Sequence, residues 1–264
     1  MKQISEISEY LDIVSRYRQK GCRSNDYIQQ SAAELIAQGR LFFREGQSNV
    51  FFFVKNQVGQ RIYYYINDLS ELFDFETDAD LVTEILFRED LPQNEMDFFI
   101  KNGFRVNLIR DQYAALYKDM VVDENLSLKI EAANSIEDVV TACKLFNASF
   151  DNLSGDFISA ECYETLFKEH QILIAKGNGS FLGAIHQGKE GSTNVIGHLA
   201  VTESARGKGV GSALVNTFIQ RNYETEKSRY MLWVQRQNVA AINMYKKFGF
   251  KFINKSTVSL TLKR

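Results

Sequence analysis

"HLAVTESARGKGVGSAL", residues 198–214, breaks with the sequence around it. An apolar, strand-like run ends in Leu199, Ala200 and Val201, and a short polar turn follows. Gly207, Gly209 and Gly211 then alternate with Lys208 and Val210, and the helix-like run "SALVNTFIQ" begins at once. Glycine is the poorest ordinary helix former, so three of them at a helix start cost stability unless the backbone there has a task. With no side chains in the way, successive N–H groups from Lys208 to Ser212 can converge on an anion. The helix adds its positive N-terminal end, and Arg206 and Lys208 add charge. The stretch reads as a pyrophosphate cradle. It is not the dinucleotide fingerprint, because Ser212 stands where the third glycine of G-x-G-x-x-G belongs, and no spaced G-K-[ST] makes it a P-loop. Taken alone, a flexible basic turn ahead of a helix would read the same way.

Around this loop the chain alternates strands and helices. Before it come "LSLKIEAAN" as a strand, a helix from the N-cap Ser135 to about Phe150, and a second helix in "SAECYETLFKEH". The strands "QILIAK", "SFLGAIHQG" and "TNVIGHLAV" follow. After it come "YMLWVQ", the helix "NVAAINMYKKF", and two final strands, "FKFINK" and "TVSLTLK".

The first half shows the same order. Helices are expected over about 3–20 and 26–38, then strands in "RLFFRE", "NVFFFVK", "RIYYYIN" and "DLVTEILFRE". Pro92 suits the first turn of a helix over "QNEMDFFIKN", and "FRVNLI" and "QYAALYK" read as a strand pair. "FFIKNGFRVN" (98–107) and "MYKKFGFKFIN" (244–254) share one helix–glycine–phenylalanine–strand pattern, with Gly103 and Gly249 offset by 146 residues. These parallels indicate an internal duplication joined near "KDMVVDEN" (118–125), and so two domains, 1–120 and 121–264. The halves differ at the loop. "NDLSELFDFETDAD" replaces the glycine segment in the first half and carries six acidic residues, which would repel a phosphate. Only the second half is expected to hold a phosphorylated cofactor.

Composition sets outer limits. The 264 residues are 45% hydrophobic and 24% charged, as in a soluble globular protein with a substantial core. A net charge of −2 speaks against nucleic-acid binding. No run is long enough to span a bilayer, and the N-terminus lacks a signal peptide's apolar centre, so no membrane partner is expected. Cys22, Cys143 and Cys162 form no pattern, which suits a reducing cytoplasm. His170, His186 and His198 show no metal-ligand spacing, so no metal is expected.

A second motif narrows the anion. "NVAAINMYKKFGF" supplies Asn238, Ala241, Tyr245, Gly249 and Phe250, matching N-x-x-A-x-x-x-Y-x-x-x-G-F. With Leu199, Ala200, Val201, Arg206, Gly209 and Gly211 matching a strand ending L-A-V followed by [RQ]-x-x-G-x-[GA], the chain resembles the GNAT family of N-acetyltransferases. The motif resemblance covers residues 195–250, and the element order extends it. It implies an α+β fold with a mixed sheet, the acyl-CoA N-acyltransferase fold, here in two tandem copies with the first degenerate. It implies a bacterial-type acyltransferase that moves an acetyl group from acetyl-CoA directly to a primary amine of a small molecule or peptide. The alternative is an acyl-CoA-binding sensor or scaffold without catalysis. Monomer and homodimer both remain open.

By the same resemblance, Leu199 to Val201 would pair with the pantetheine arm, and Arg206, Gly207, Lys208, Gly209, Val210, Gly211 and Ser212 would hold the pyrophosphate. Asn238, Ala241 and Tyr245 would lie along the cofactor. The Val201 amide would stabilise the oxyanion, and Tyr245 would give a proton to the leaving thiolate. Glu203 stands where many members carry proline. The base that deprotonates the amine is open: His198 beside the thioester comes first, Glu161, Asp156 and a water chain are alternatives, and a histidine simply satisfied within the sheet reads equally well. Trp233 and Tyr163 are candidates for the acceptor pocket or for plain aromatic packing.

Overall fold

The computed structural model describes residues 1–123, 128–177 and 179–264, and the backbone alone of Asp156. Two compact units divide it: 1–109 with 256–264, and 110–255.

The first unit contains β1 (Lys2–Gln3), α1 (Ile7–Tyr17), β2 (Arg23–Ser24), α2 (Ala32–Ala37), β3 (Leu41–Glu45), β4 (Val50–Asn56), β5 (Gly59–Ile66), β6 (Leu81–Phe87) and α3 (Gln93–Lys101). β7 (Arg105–Leu116) begins in it. Both N-terminal helices are shorter than the expected 3–20 and 26–38, and residue 3 of the first pairs with β3 instead of joining a helix. β3, β4 and β5 form an antiparallel meander, and β5 then runs parallel to β6 over Gln60–Ile62. The 14 residues between β5 and β6 form no helix. They are held by Phe73 and Phe75, whose rings lie 4.2 and 4.9 Å from that of Phe51 in a cluster with Phe98, Phe99 and Phe104. An aromatic anchor here does the packing that an amphipathic helix would otherwise supply.

The second unit contains β8 (Ile130–Ala132), α4 (Ile136–Ser149), α5 (Tyr163–Lys168), β9 (Ile172–Gly177), β10 (Ser180–Glu190), β11 (Thr193–Val201), α6 (Val210–Arg221), β12 (Arg229–Gln235) and α7 (Val239–Lys247), and β13 (Lys251–Leu262) begins in it. Ser135 caps α4 as expected, its Oγ accepting from the Asp138 amide at 3.2 Å. The expected strand "LSLKIEAAN" is present over 130–132, and its residues 126–127 lie outside the described ones. β8, β9, β10 and β11 are antiparallel neighbours, and β11 runs parallel to β12. One apolar cluster gathers Leu214, Val215 and Phe218 of α6 with Leu232 and Tyr245. Another gathers Val139, Cys143 and Phe146 of α4 with Ile174 and Ala200.

Two expectations fail at the ends of the repeats. "FRVNLI" and "QYAALYK" are one continuous strand, β7, not a pair. Arg110-Asp111, polar enough to suggest a turn, lies within it. Asp111 is buried and held by Arg236, whose Nε and Nη2 donate to it at 3.0 and 2.7 Å. A bidentate pair of this kind lets a carboxylate stay inside a sheet. The last two expected strands are likewise one, β13, passing through Asn254 at φ 53°. The expected boundary at 120/121 therefore moves. Residues 110–116 pair with β12 in the second unit, while 256–262 pair with β6 in the first. β7 thus begins in the first unit and ends in the second, and β13 begins in the second and ends in the first.

The repeated pattern seen in sequence is repeated in geometry. Gly103 and Gly249 follow α3 and α7 with φ of 90° and 92°. In both places the next residue, Phe104 or Phe250, donates its amide five residues back, to Phe99 or Tyr245. Only glycine enters this left-handed turn without strain. At Gly249 a side chain would also collide with the Asp119 carbonyl.

Candidate active site

The site begins with a defect in the second unit's sheet. β11 and β12 are paired from Thr193–Arg229 to Ile196–Leu232 and no further, although both strands run on, to Val201 and Gln235. The break coincides with a bulge. His186 faces His198 and Gln187 faces Ile196, which leaves Gly197 unmatched on β11. A bulge bends its strand and increases its twist, and here it carries the end of β11 away from β12. Glycine is required there: a β-carbon on residue 197 would lie 2.7 Å from His186 Nδ1.

The opening exposes backbone groups with a fixed orientation. The Thr202 amide donates to Leu182 on β10 at 2.9 Å. Antiparallel alternation then turns the amides of Val201 and Leu199 the other way, toward the gap left by β12. Their side chains pack on the α6 face, and Ala200 packs on the α4 face.

The three glycines of the loop do different work. Gly207 (φ 73°) and Gly209 (φ 80°) are left-handed, with open space where a side chain would point. Gly211 lies inside α6, and a β-carbon on it would meet Met244 Sδ at 3.3 Å and Leu199 and Val201 at 3.7 Å. The first two shape the turn, and the third lets α6 lie close on β11 and α7. The Ala213 amide makes the first bond of the helix, to Gly209 O at 2.9 Å. The amides of Gly207 to Ser212 donate to no group among the described residues. Arg206 and Lys208 are exposed beside them and make no ion pair among the described residues. A turn of free amides at the positive end of a 12-residue helix suits a polyanion.

Tyr245 on α7 is 6% exposed and stands edge-on to Phe250 at 5.8 Å. Burial pushes its phenol well above the ordinary tyrosine range, and the hydroxyl makes no hydrogen bond among the described residues. Asn238 caps α7, its Oδ1 accepting from the Ala241 amide at 3.1 Å. That use of the oxygen explains the asparagine at 238 through helix geometry.

His198 occupies the opposite, α4 face of the sheet. Its ring stacks on Phe146 at 5.3 Å and meets Phe150 edge-on at 5.1 Å. Its Nδ1 lies 3.4 Å from Nδ1 of His186, a residue the motifs do not reveal. Cross-strand pairing brings the two together, and the alternation of β10 and β11 in the sequence was the available signal. Burial lowers the pKa of His186, favouring its neutral form. Among the other candidates, Glu161 is exposed in a single turn at 160–162, and Tyr163 packs against the α4 cluster. Trp233 lies under the Lys255 ammonium at 5.6 Å. The Asp156 side chain lies outside the described ones. No group of three or more His, Cys, Asp or Glu able to hold a metal occurs among the described residues. No helix among them is long and apolar enough to cross a membrane.

The model of the acetyltransferase (GNAT) family matches residues 141–250. An acetyltransferase of Pectobacterium atrosepticum is 27% identical over 90 residues, 34% of this chain and 64% of that protein's length. The GCN5-related N-acetyltransferase from Kribbella flavida superposes with a TM-score of 0.55 at 13% identity, over 86% of this chain and 93% of its own. A tandem GNAT protein from the clavulanic acid biosynthesis pathway does so with a TM-score of 0.52 at 12% identity, over 97% and 94%. The chain has the GNAT fold.

Proposed function

We propose that this chain is an acetyl-CoA-dependent N-acetyltransferase that passes the acetyl group directly to a primary amine. The observation that carries the reading is the run of unpartnered amides from Gly207 to Ser212 beside the β11–β12 opening. The cofactor's pyrophosphate would sit on those amides and its pantetheine arm along Leu199 to Val201. The thioester carbonyl oxygen would meet the Val201 amide, which stabilises charge as the amine adds. Tyr245 packs in the α6 cluster and His198 against Phe146 of α4, on opposite faces of the sheet, and on this reading each serves the thioester from its own face. The leaving thiolate and the incoming amine are thus served from opposite sides.

A phenol held above its usual pKa is a weak proton source for a thiol of pKa near 8.5. Its contribution is a hydrogen bond to the departing sulfur, available because it stays protonated. His198 takes the amine proton, with its Nδ1 set 3.4 Å from His186 Nδ1. A covalent route through cysteine is disfavoured: Cys22, Cys143 and Cys162 all lie outside both motifs, and burial pushes the Cys143 thiol up to about 12. We also propose that the first repeat, 1–120 by sequence, is a degenerate copy of the second.

The reading is tested by calorimetric titration with acetyl-CoA, then by free-thiol release over a panel of primary amines. Binding with turnover is expected. No binding would overturn the reading, and binding without turnover on any amine would leave a carrier or sensor. His198→Gln is expected to lower kcat/KM at neutral pH about tenfold, with the deficit shrinking as pH rises, because each pH unit raises the free amine about tenfold. A constant deficit across pH would remove His198 as the base.

A further inference from the structure

The first unit also has a strand opening, and its own chain fills it. β5 and β6 are paired only from Gln60–Leu81 to Ile62–Thr83, although they run on to Ile66 and Phe87. No bulge interrupts the β4–β5 register, so this gap has another cause. β2 lies antiparallel on the far end of β5, with Arg23 opposite Ile66 and Ser24 opposite Tyr65. Asn25, 2% exposed, then turns its side chain between the strands. Its Nδ2 approaches Ile62 O at 3.3 Å, Thr83 Oγ1 at 3.0 Å and Glu84 O at 2.9 Å, and its Oδ1 accepts the Tyr64 amide at 2.9 Å. One asparagine thereby satisfies the backbone groups that the two strands no longer offer each other.

The flanking residues hold it there. Arg23 Nη1 donates to both carboxylate oxygens of Glu95 on α3 at 3.2 Å. Asp26 Oδ2 accepts from the hydroxyls of Tyr10 on α1, at 2.6 Å, and Tyr65 on β5, at 2.8 Å. The second unit has nothing equivalent: among the described residues, β11 pairs with β10 and β12 only. The repeat offset that relates Gly103 to Gly249 also relates Phe99 to Tyr245, so the first unit lacks the hydroxyl as well.

We propose that residues 23–26 are a built-in occupant of the first unit's strand opening, standing where an extended ligand would pair, and that the chain therefore takes one acyl carrier and not two. A ligand entering that opening would have to displace Asn25 and leave Glu84 O and the Tyr64 amide to be re-bonded in a buried place, at large cost, while Ile62 O keeps the Thr83 hydroxyl at 3.1 Å. The nature of the carrier rests on the function proposed above. The occupancy by residues 23–26 does not.

Hydrogen exchange on the full chain, with and without saturating acetyl-CoA, tests both parts. The Tyr64 amide is expected to be protected in the free protein and unchanged by acetyl-CoA, while the Val201 amide slows. Calorimetry is expected to give one equivalent per chain. Asn25→Ala is expected to speed exchange at Tyr64 by about 50-fold or more and leave acetyl-CoA affinity within about threefold. A second equivalent, a Tyr64 amide that slows with acetyl-CoA, or unchanged Tyr64 exchange in Asn25→Ala would overturn the proposal. If Asn25→Ala does not fold, wild-type exchange and stoichiometry decide. If no acetyl-CoA binds at all, the functional reading fails, and an unprotected Tyr64 in the free protein would still refute the occupant.

Discussion

Gly209→Val is expected to weaken acetyl-CoA binding by about 10³-fold while the protein stays folded. Gly209 precedes α6 at φ 80°, where a β-branched residue is strongly disfavoured. The variant must either hold that strain, about 1–2 kcal/mol, or refold the turn. Refolding turns the amides of residues 207–212 away from a common point. A polyanion held by several amides at once then loses most of them together. Stability changes little by comparison, because no atom lies within 4 Å of where the valine β-carbon would point. A Tm drop of only a few degrees is expected. Gly191→Val is the control. That glycine is also left-handed, at φ 58°, also faces open space, and sits in the β10–β11 hairpin away from the loop. It carries the strain without the binding loss. Isothermal titration decides the matter: equal affinity in wild type and Gly209→Val would show that the cradle is not the cofactor site.

What the sequence disclosed and what it hid have a common physical origin. Local rules were legible. Ser135 announced a cap, Gly103 and Gly249 announced left-handed helix ends, and the glycine loop announced free amides. Each depends on neighbours a few residues away, and pattern reading handles such cases well. The hidden features depend on partners distant in the chain. Asp111 looked like a turn residue because its partner, Arg236, is 125 positions away. The exchanged ends of β7 and β13 could not be seen, because strand pairing is decided between segments and not within them. His186 was passed over for the same reason, although β10 and β11 alternate cleanly enough to have placed it opposite His198. Residues 23–25 fell between two expected helices, and only the paired geometry shows Arg23 and Ser24 on β5. Gly211 was read as part of the cradle, and its close approach to Leu199, Val201 and Met244 adds a packing role that no motif expresses.

The exchange of end strands bears on how the two halves depend on each other. The first unit is completed by 256–262, which follow the whole second repeat in the chain. A fragment ending near residue 120 would lack the strand beside β6, and one starting near 121 would lack the strand beside β12. Each would leave a sheet edge unpaired, which favours aggregation. The full chain is therefore the proper object for every measurement above.

Tyr245→Phe is expected to lower kcat by about 10²-fold and to leave acetyl-CoA affinity within about twofold. The substitution removes one oxygen and keeps the ring that packs edge-on to Phe250 at 5.8 Å. Little packing energy is at stake, since no hydrogen bond of the hydroxyl is lost among the described residues. What is lost is the donor to the departing sulfur, and deleting one donor aimed at developing charge typically costs 10²–10³ in rate. The affinity for the thioester itself should hardly move, because sulfur in the ground state carries no charge for the phenol to meet. Burial raises the phenol's pKa, so the group stays protonated through and above the ordinary tyrosine range. The alkaline side of the wild-type kcat profile should accordingly show no fall near pH 10. The leaving group provides the decisive comparison. An acetyl thioester of a more acidic thiol needs less help to depart, so the deficit of Tyr245→Phe should shrink with it. A deficit independent of the thiol, or a kcat equal to wild type, would remove Tyr245 from the transfer step and leave it as a core aromatic of α7.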